Sequence, residues 1–272
     1  MRADQALLWP IAGIVAIALL VTVAPWLVQT DPNHIDLSQR LSAPGISAWF
    51  GTDELGRDLF SRTMHGLALS LGLSLLVTVT ATAAGIAVGA TAGWFYQTWI
   101  DKTFNWIASA LSAVPFLLVM AAALSLVEPS LVNSYIVLAG LLWVGPARLC
   151  RAEVIRTVPL GHVLAVRAIG ASDWHIFRMH VLPACIRTPL IHAMTYLPEV
   201  IALEAALSFL GLGAQPPQAS LGRMVFDGLN HMGSNWWLSV FPALSLALVV
   251  TLVRVATWAV TETASAHIRK GE

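Results

Sequence analysis

The sequence predicts an all-α, polytopic membrane protein with six transmembrane helices, and three observations lead there. Hydrophobic residues make up 57% of the 272-residue chain and charged residues 11%, whereas about a quarter of an ordinary soluble domain is charged. The charges are segregated, with none between Arg62 and Asp101 and none between Asp227 and Arg254. Uncharged apolar stretches of about 18 residues or more have the length to cross a bilayer as helices. Finally, the interval from Arg148 to Arg187 gathers Arg148, Arg151, Arg156, Arg167, Arg178 and Arg187 against only Glu153 and Asp173.

Leu7 to Val28 is the first apolar run, too long for a signal-peptide core and read as a retained span. Thr30 to Met64 is an acid-weighted segment with Pro32, Pro44 and several turn formers, expected as an ordered extramembrane loop with short helices. Gly66 to Trp94 is the second span, with Gly85, Gly89 and Gly93 in register on one face. Such small-residue repeats let helix backbones approach closely. Thr103 to Val127, with Pro115 inside it, is the third span, and Leu131 to Ala147 the fourth. Leu190 to Leu210 is the fifth and carries Pro198, Glu199 and Glu204. Gly211 to Trp236 is a second polar segment, Leu238 to Trp258 the sixth span, and Glu262 to Glu272 a polar tail. Trp26, Trp49, Trp94, Trp99, Trp143, Trp236 and Trp237 lie near span ends, as an aromatic belt requires.

Between the fourth and fifth spans the pattern reads as a short helix, a Gly-Ala-Ser turn and a second amphipathic helix stopped by Pro183. Gly170 is suited to end the first helix, and Ser172 or Asp173 to cap the second. Six spans put both termini on one side. The arginines of the interval, with Arg269 and Lys270, make that side the cytoplasm. The helix–turn–helix is then either a docking surface for another protein or a solvated basic loop that only sets topology. Cys150 and Cys185 fall in or beside it and are expected as small apolar fillers rather than a disulfide framework.

Ala165, Gly170, Leu182 and Pro183 match a pattern of Glu-Ala-Ala, three residues, Gly, nine residues, then Ile-x-Leu-Pro. Leu164 stands at the Glu position and His180 at the Ile position. With Gly170-Ala171-Ser172-Asp173 followed by His180-Val181-Leu182-Pro183, the interval resembles the cytoplasmic coupling loop of ABC-importer permeases of the dipeptide/oligopeptide/nickel family. The string Gly51-Thr52-Asp53-Glu54-Leu55-Gly56-Arg57-Asp58-Leu59-Phe60-Ser61-Arg62 is similar to the Gly-Thr-Asp-x-x-Gly-Arg-Asp-x-x-Ser-Arg signature of the same permeases. Read locally, it is a helix N-terminus capped by Thr52 or Asp53 beside an Asp–Arg network. Ala206 to Pro217, and Trp236-Trp237 with Phe241-Pro242, carry the resemblance on. It fades where Trp258 to Glu262 replaces the family's usual Gly-Asp-x-Leu-Arg-Asp-like stretch.

The resemblance implies a type I importer permease in the bacterial cytoplasmic membrane, moving peptides or nickel/metal chelates. It divides the chain into an N-terminal helix and extracytoplasmic segment (1–65), a permease domain (66–262) with its coupling loop at 148–187, and a cytoplasmic tail (263–272). Implied partners are a second permease subunit, two ATPase subunits, an extracytoplasmic solute-binding protein and the lipid bilayer, with no nucleic acid. ATP and Mg would sit on the ATPases and no cofactor on this chain, which lacks a Gly-x-x-x-x-Gly-Lys-Ser/Thr loop. The ATPases are expected to engage Ala165, Arg167, Gly170, Ala171, Ser172, Asp173 and Trp174, with Leu182 and Pro183 behind them. Gly51, Thr52, Asp53, Gly56, Arg57, Asp58, Ser61 and Arg62 would form a structural element near the binding-protein face.

Eight histidines raise a metal site, but His175 and His180 lack the i, i+4 spacing of a helical metal pair, and no metal is expected. Glu199 and Glu204 are functional candidates because an intramembrane carboxylate is costly and faces a cavity or a partner. An ion-gradient-driven secondary transporter or channel is the competing class, and predicts an internal repeat with interrupted helices. A membrane-embedded enzyme would require a His and acid cluster on span faces, which Glu199 and Glu204 alone do not make.

Overall fold

In a computed structural model, the structure describes residue 28, residues 30–128 and residues 130–270, with 260–270 as backbone alone. The described residues form helices and no named strand. Thr52 and Asp58 make one isolated antiparallel bridge. The α-helices run α1 (Leu59–Trp94), α2 (Trp99–Ala113), α3 (Phe116–Leu124), α4 (Leu131–Leu142), α5 (Val144–Thr157), α6 (Gly161–Ala168), α7 (Asp173–Ile176), α8 (Leu182–Cys185), α9 (Arg187–Phe209), α10 (Leu221–Leu229) and α11 (Trp237–Lys270). Among them, Leu59–Trp94, Leu131–Thr157, Asp173–Phe209 and Trp237–Ala259 are long and apolar enough to cross a membrane, and the bent α2–α3 pair adds a fifth if taken as one span. The expected first span lies almost wholly outside the described residues.

The chain divides into two compact units. One comprises Met1–Leu75, Val127–Ser134 and Leu197–Glu272, and the other Leu76–Leu126 and Tyr135–Tyr196. In the first unit, Leu67 and Leu71 of α1, Ile201 of α9, Leu221 of α10, and Val249 and Val253 of α11 share one apolar core. Leu59, Ala219, Met224, Trp237 and Leu238 form a second. The Gly211–Trp236 segment, read from sequence as polar, contains the amphipathic α10, which buries Leu221, Gly222, Met224 and Gly228. A side chain at Gly222 would strike the Ala205 carbonyl, so α10 lies close on α9.

In the second unit the glycine face of α1 meets α5. A Cβ at Gly85 would lie 2.7 Å from the Pro146 Cβ, one at Gly89 would overlap the Ala147 backbone, and one at Gly93 would lie 2.8 Å from the Val154 Cβ. Ala90, Cys150, Val154, Val163, Ile176, Val181 and Cys185 form the core beneath the short helices. The two cysteines are free and buried there, with sulfurs 3.6 Å apart.

Several expectations change. The Thr103–Val127 run is a broken helix: α2 and α3 meet at 93°. Pro115 has no N–H to continue α2, and it pushes Val114 into extended backbone (φ −105°, ψ 140°). Pro183 does not stop the second short helix. A π-helical turn at Phe177–Val181, its Leu182 N–H bonding back to the Phe177 carbonyl, leads directly into α8, where Pro183 stands in the first turn. The Arg148–Arg187 interval is not a loop throughout. Its first ten residues belong to α5, because Cys150 and Val154 supply a buried stripe between the arginines. At the chain's end, the polar tail keeps a helical backbone through Lys270.

Candidate functional site

In the second unit, α6 ends in a Schellman turn. The Gly170 N–H donates to the Arg167 carbonyl (3.1 Å) and the Ala171 N–H to the Val166 carbonyl (3.3 Å). Gly170 has φ +88°, the left-handed region that glycine enters without strain. Ser172 then caps α7, its Oγ accepting from the His175 N–H at 3.3 Å. Asp173, at the first position of α7, meets Arg167 at 3.4 Å. That pair is solvent-exposed, so it adds little to stability.

The inner side of this helix–turn–helix is sealed by Val163, Ile176 and Val181. Its outer side is not: Leu164, Ile169, Trp174 and Met179 are exposed, Ile169 to 84%. Trp174 stacks on Phe177 with ring centroids 5.9 Å apart, and Phe177 packs edge-on against Trp94 at 5.2 Å. Leu182 packs partly against the core, and Pro183 follows in α8. The structure thus brings Ala165, Arg167, Gly170, Ala171, Ser172, Asp173 and Trp174 together on α6, its turn and the start of α7. Leu182 and Pro183 stand past the π turn.

The second unit also holds an ion pair missed at the sequence level, between α2 and α5. Arg151 donates to both carboxylate oxygens of Asp101 (2.6 and 3.0 Å), and Asp101 also accepts from the Gln97 amide (3.0 Å) and the Asn105 side chain (2.9 Å). The guanidinium lies over the Tyr96 ring at 5.5 Å. A bidentate, nearly buried pair of this kind fixes α2 to α5. The available signal was Asp101 itself, the charge that ends the long uncharged stretch.

In the first unit the Gly51–Arg62 string folds as a tight knot before and into α1. Asp58, rather than Thr52 or Asp53, caps the helix, accepting from the Ser61 N–H at 2.7 Å. Burial raises the Asp58 pKa, and hydrogen bonds from the Ser61 and Phe60 amides oppose that rise. Asp53 instead pairs with Arg57 (2.7 Å) and approaches Arg62 (3.6 Å), and it also accepts the Leu55 and Arg57 amides. Thr52 bridges the preceding loop, its hydroxyl donating to the Gln39 carbonyl and accepting from the Ser42 N–H. Ser61 donates to the Thr30 carbonyl (2.7 Å) and Arg62 to that of Pro32 (3.0 Å).

Gly56 has φ +73° and sits directly on the Asp36 carbonyl, and Gly51 (φ +77°) leaves room for the Trp237 indole. Glu54 pairs with His231, joining the knot to the segment after α10. Asp227 of α10 has its pKa raised by burial, with Arg223 at 2.9 Å opposing. Of the two intramembrane acids, Glu204 is buried in α9 and accepts from Ser208 Oγ at 2.9 Å. Glu199 is exposed and lies 3.6 Å from Arg254. The structure does not bring the two acids into one cluster with histidine, and no group of metal-ligating side chains occurs among the described residues.

Long apolar helices, a broken span and a capped helix pair with an exposed apolar side define a polytopic, all-α membrane protein. Residues 85–261 match the family described as "Binding-protein-dependent transport system inner membrane component", and the chain belongs to that family of ABC-importer permeases. Its members are transport components rather than enzymes. The chain is 34% identical to the probable D,D-dipeptide transport system permease protein DdpC of Escherichia coli (strain K12), over 86% of this chain and 78% of that one. It is 33% identical to the dipeptide transport system permease protein DppC of Bacillus subtilis (strain 168), over 85% and 72% respectively. Identity to the oligopeptide transport system permease protein OppC of Mycobacterium bovis is 30%, over 88% of this chain and 84% of that one. The fold is similar to a chain of the MetNI methionine ABC transporter solved in inward-facing conformations. The TM-score is 0.54 at 19% identity, covering 73% of this chain and 96% of that one.

Proposed function

We propose that the chain is one of two permease subunits of an ATP-driven importer of short peptides. Its relatives are named for dipeptides and oligopeptides, which favours peptides over nickel or a metal chelate. The observation that carries the reading is the exposed apolar side of the helix–turn–helix, with Ile169 and Trp174 flanking the Gly170 turn. Such a face, on a short pair resting on a sealed core, suits a groove on an ATPase subunit. ATP and Mg sit on two such ATPases. A second permease subunit completes the pathway, and a binding protein delivers solute beside the Gly51–Arg62 knot. Closure of the ATPase dimer moves α6 and α7, and the packed core transmits that motion to α1 and α5 as alternating access.

The division into 1–65, a permease domain 66–262 and a tail 263–272 belongs to the same reading, as do cytoplasmic termini, which the arginine distribution supports. Affinity purification of the tagged chain from its own membranes tests the assembly. ATPase subunits and a second permease should come down with it. Recovery of the chain alone under conditions that keep it folded would count against the importer reading.

A further inference from the structure

A cavity of about 610 Å³ opens in the second unit where α2 gives way to α3. Polar groups of Ser112, Arg148, His192 and Tyr196 share its otherwise largely apolar wall. Arg148 lies within the apolar helix Leu131–Thr157, and His192 and Tyr196 lie within Asp173–Phe209. Within an apolar helix of this kind an ionised guanidinium is costly unless it faces a polar cavity, a counter-charge or the membrane interface. Arg151, three residues on, has its counter-charge in Asp101. Arg148 does not: it donates one N–H to the Ala108 carbonyl at 2.9 Å and has no carboxylate partner among the described residues. A guanidinium carries five donors in a flat fork that matches the two oxygens of a carboxylate. The His192 and Tyr196 rings stack with centroids 5.3 Å apart and an interplanar angle of 19°, giving the cavity a flat side. Its volume lies in the range of about 300–1,000 Å³ that holds small ligands.

We propose that the cavity at the Pro115 break receives a peptide solute, with Arg148 holding its terminal carboxylate. The proposal rests on the peptide-permease reading above and adds to it a residue that contacts the cargo. A phospholipid phosphate offers the same anionic oxygens, so the experiment separates the two sources. Ser112→Cys is introduced into the complete importer and its labelling by a maleimide is timed. Cys150 and Cys185 are buried, so maleimide found on this chain, separated from the other subunits, reports the new thiol.

Dialanine at about ten times its Kd should slow labelling about tenfold, since only about one site in eleven is then empty. Its C-terminal amide should not, and Arg148→Gln should remove the protection. The amide comparison uses unaltered Arg148, so a folding defect in the variant does not blur the result. Equal protection by the amide overturns carboxylate recognition while leaving peptide transport standing. Protection by phosphatidylglycerol and not by dialanine makes this a lipid site and overturns the proposal. No protection in a complex that still imports dialanine overturns it as well. A complex that imports no peptide at all overturns the underlying reading instead.

Discussion

At Gly89 a side chain has nowhere to go, because an added Cβ would overlap the backbone of Ala147. Backbone cannot swing aside as a flexible side chain can, so Gly89→Leu must separate α1 from α5. Overpacking of this sort destabilises by about 1–3 kcal/mol. The expected outcome is a lower yield of folded protein and a melting temperature below wild type, measured in detergent or nanodiscs. Gly72, in the same helix, meets nothing within 4 Å, so Gly72→Leu is the matched control and should behave as wild type. The glycine face was legible in the sequence because a spacing of four residues maps directly onto one side of a helix. The Asp101–Arg151 pair was not, since its partners stand 50 residues apart and only folding brings them together. Nor was the Asp58 cap: Thr52, Asp53 and Asp58 are all good capping residues, and only the start of α1 at Leu59 chooses among them.

The helix pair around Gly170 shows the same division one scale up. Its local chemistry was readable: a glycine for the left-handed turn and a serine for the following cap, both in place. What propensity hid was the fate of Pro183, because a π turn lets the chain continue into α9 instead of ending. The break at Pro115 was hidden as well, since an apolar run looks alike straight or bent. A Cβ at Gly170 would meet open space, so the penalty of Gly170→Val is conformational, roughly 1–2 kcal/mol for a left-handed residue. With that turn forced out of shape, Trp174 and Asp173 lose their position relative to Ile169. The variant should insert and express as wild type yet retain less ATPase in pull-downs, and peptide uptake should fall severalfold. Normal association with normal uptake would reduce the pair to a topological anchor.

For the whole molecule, composition and charge segregation were enough to read an all-α membrane protein. The family followed from two short strings placed on helix ends. Hydropathy set six spans, of which the described helices supply four, or five with the bent pair, while the first expected span lies outside the described residues. A broken helix at Pro115 also suits an ion-driven transporter, whose half-helices face one another within the membrane. The two classes differ in their source of energy. The direct test is uptake of a labelled dipeptide into proteoliposomes holding the assembled complex, with binding protein outside and ATP inside. Uptake should require ATP and its hydrolysis, and should persist when ionophores collapse every ion gradient. Uptake that proceeds without ATP and stops on adding the ionophores would contradict the account.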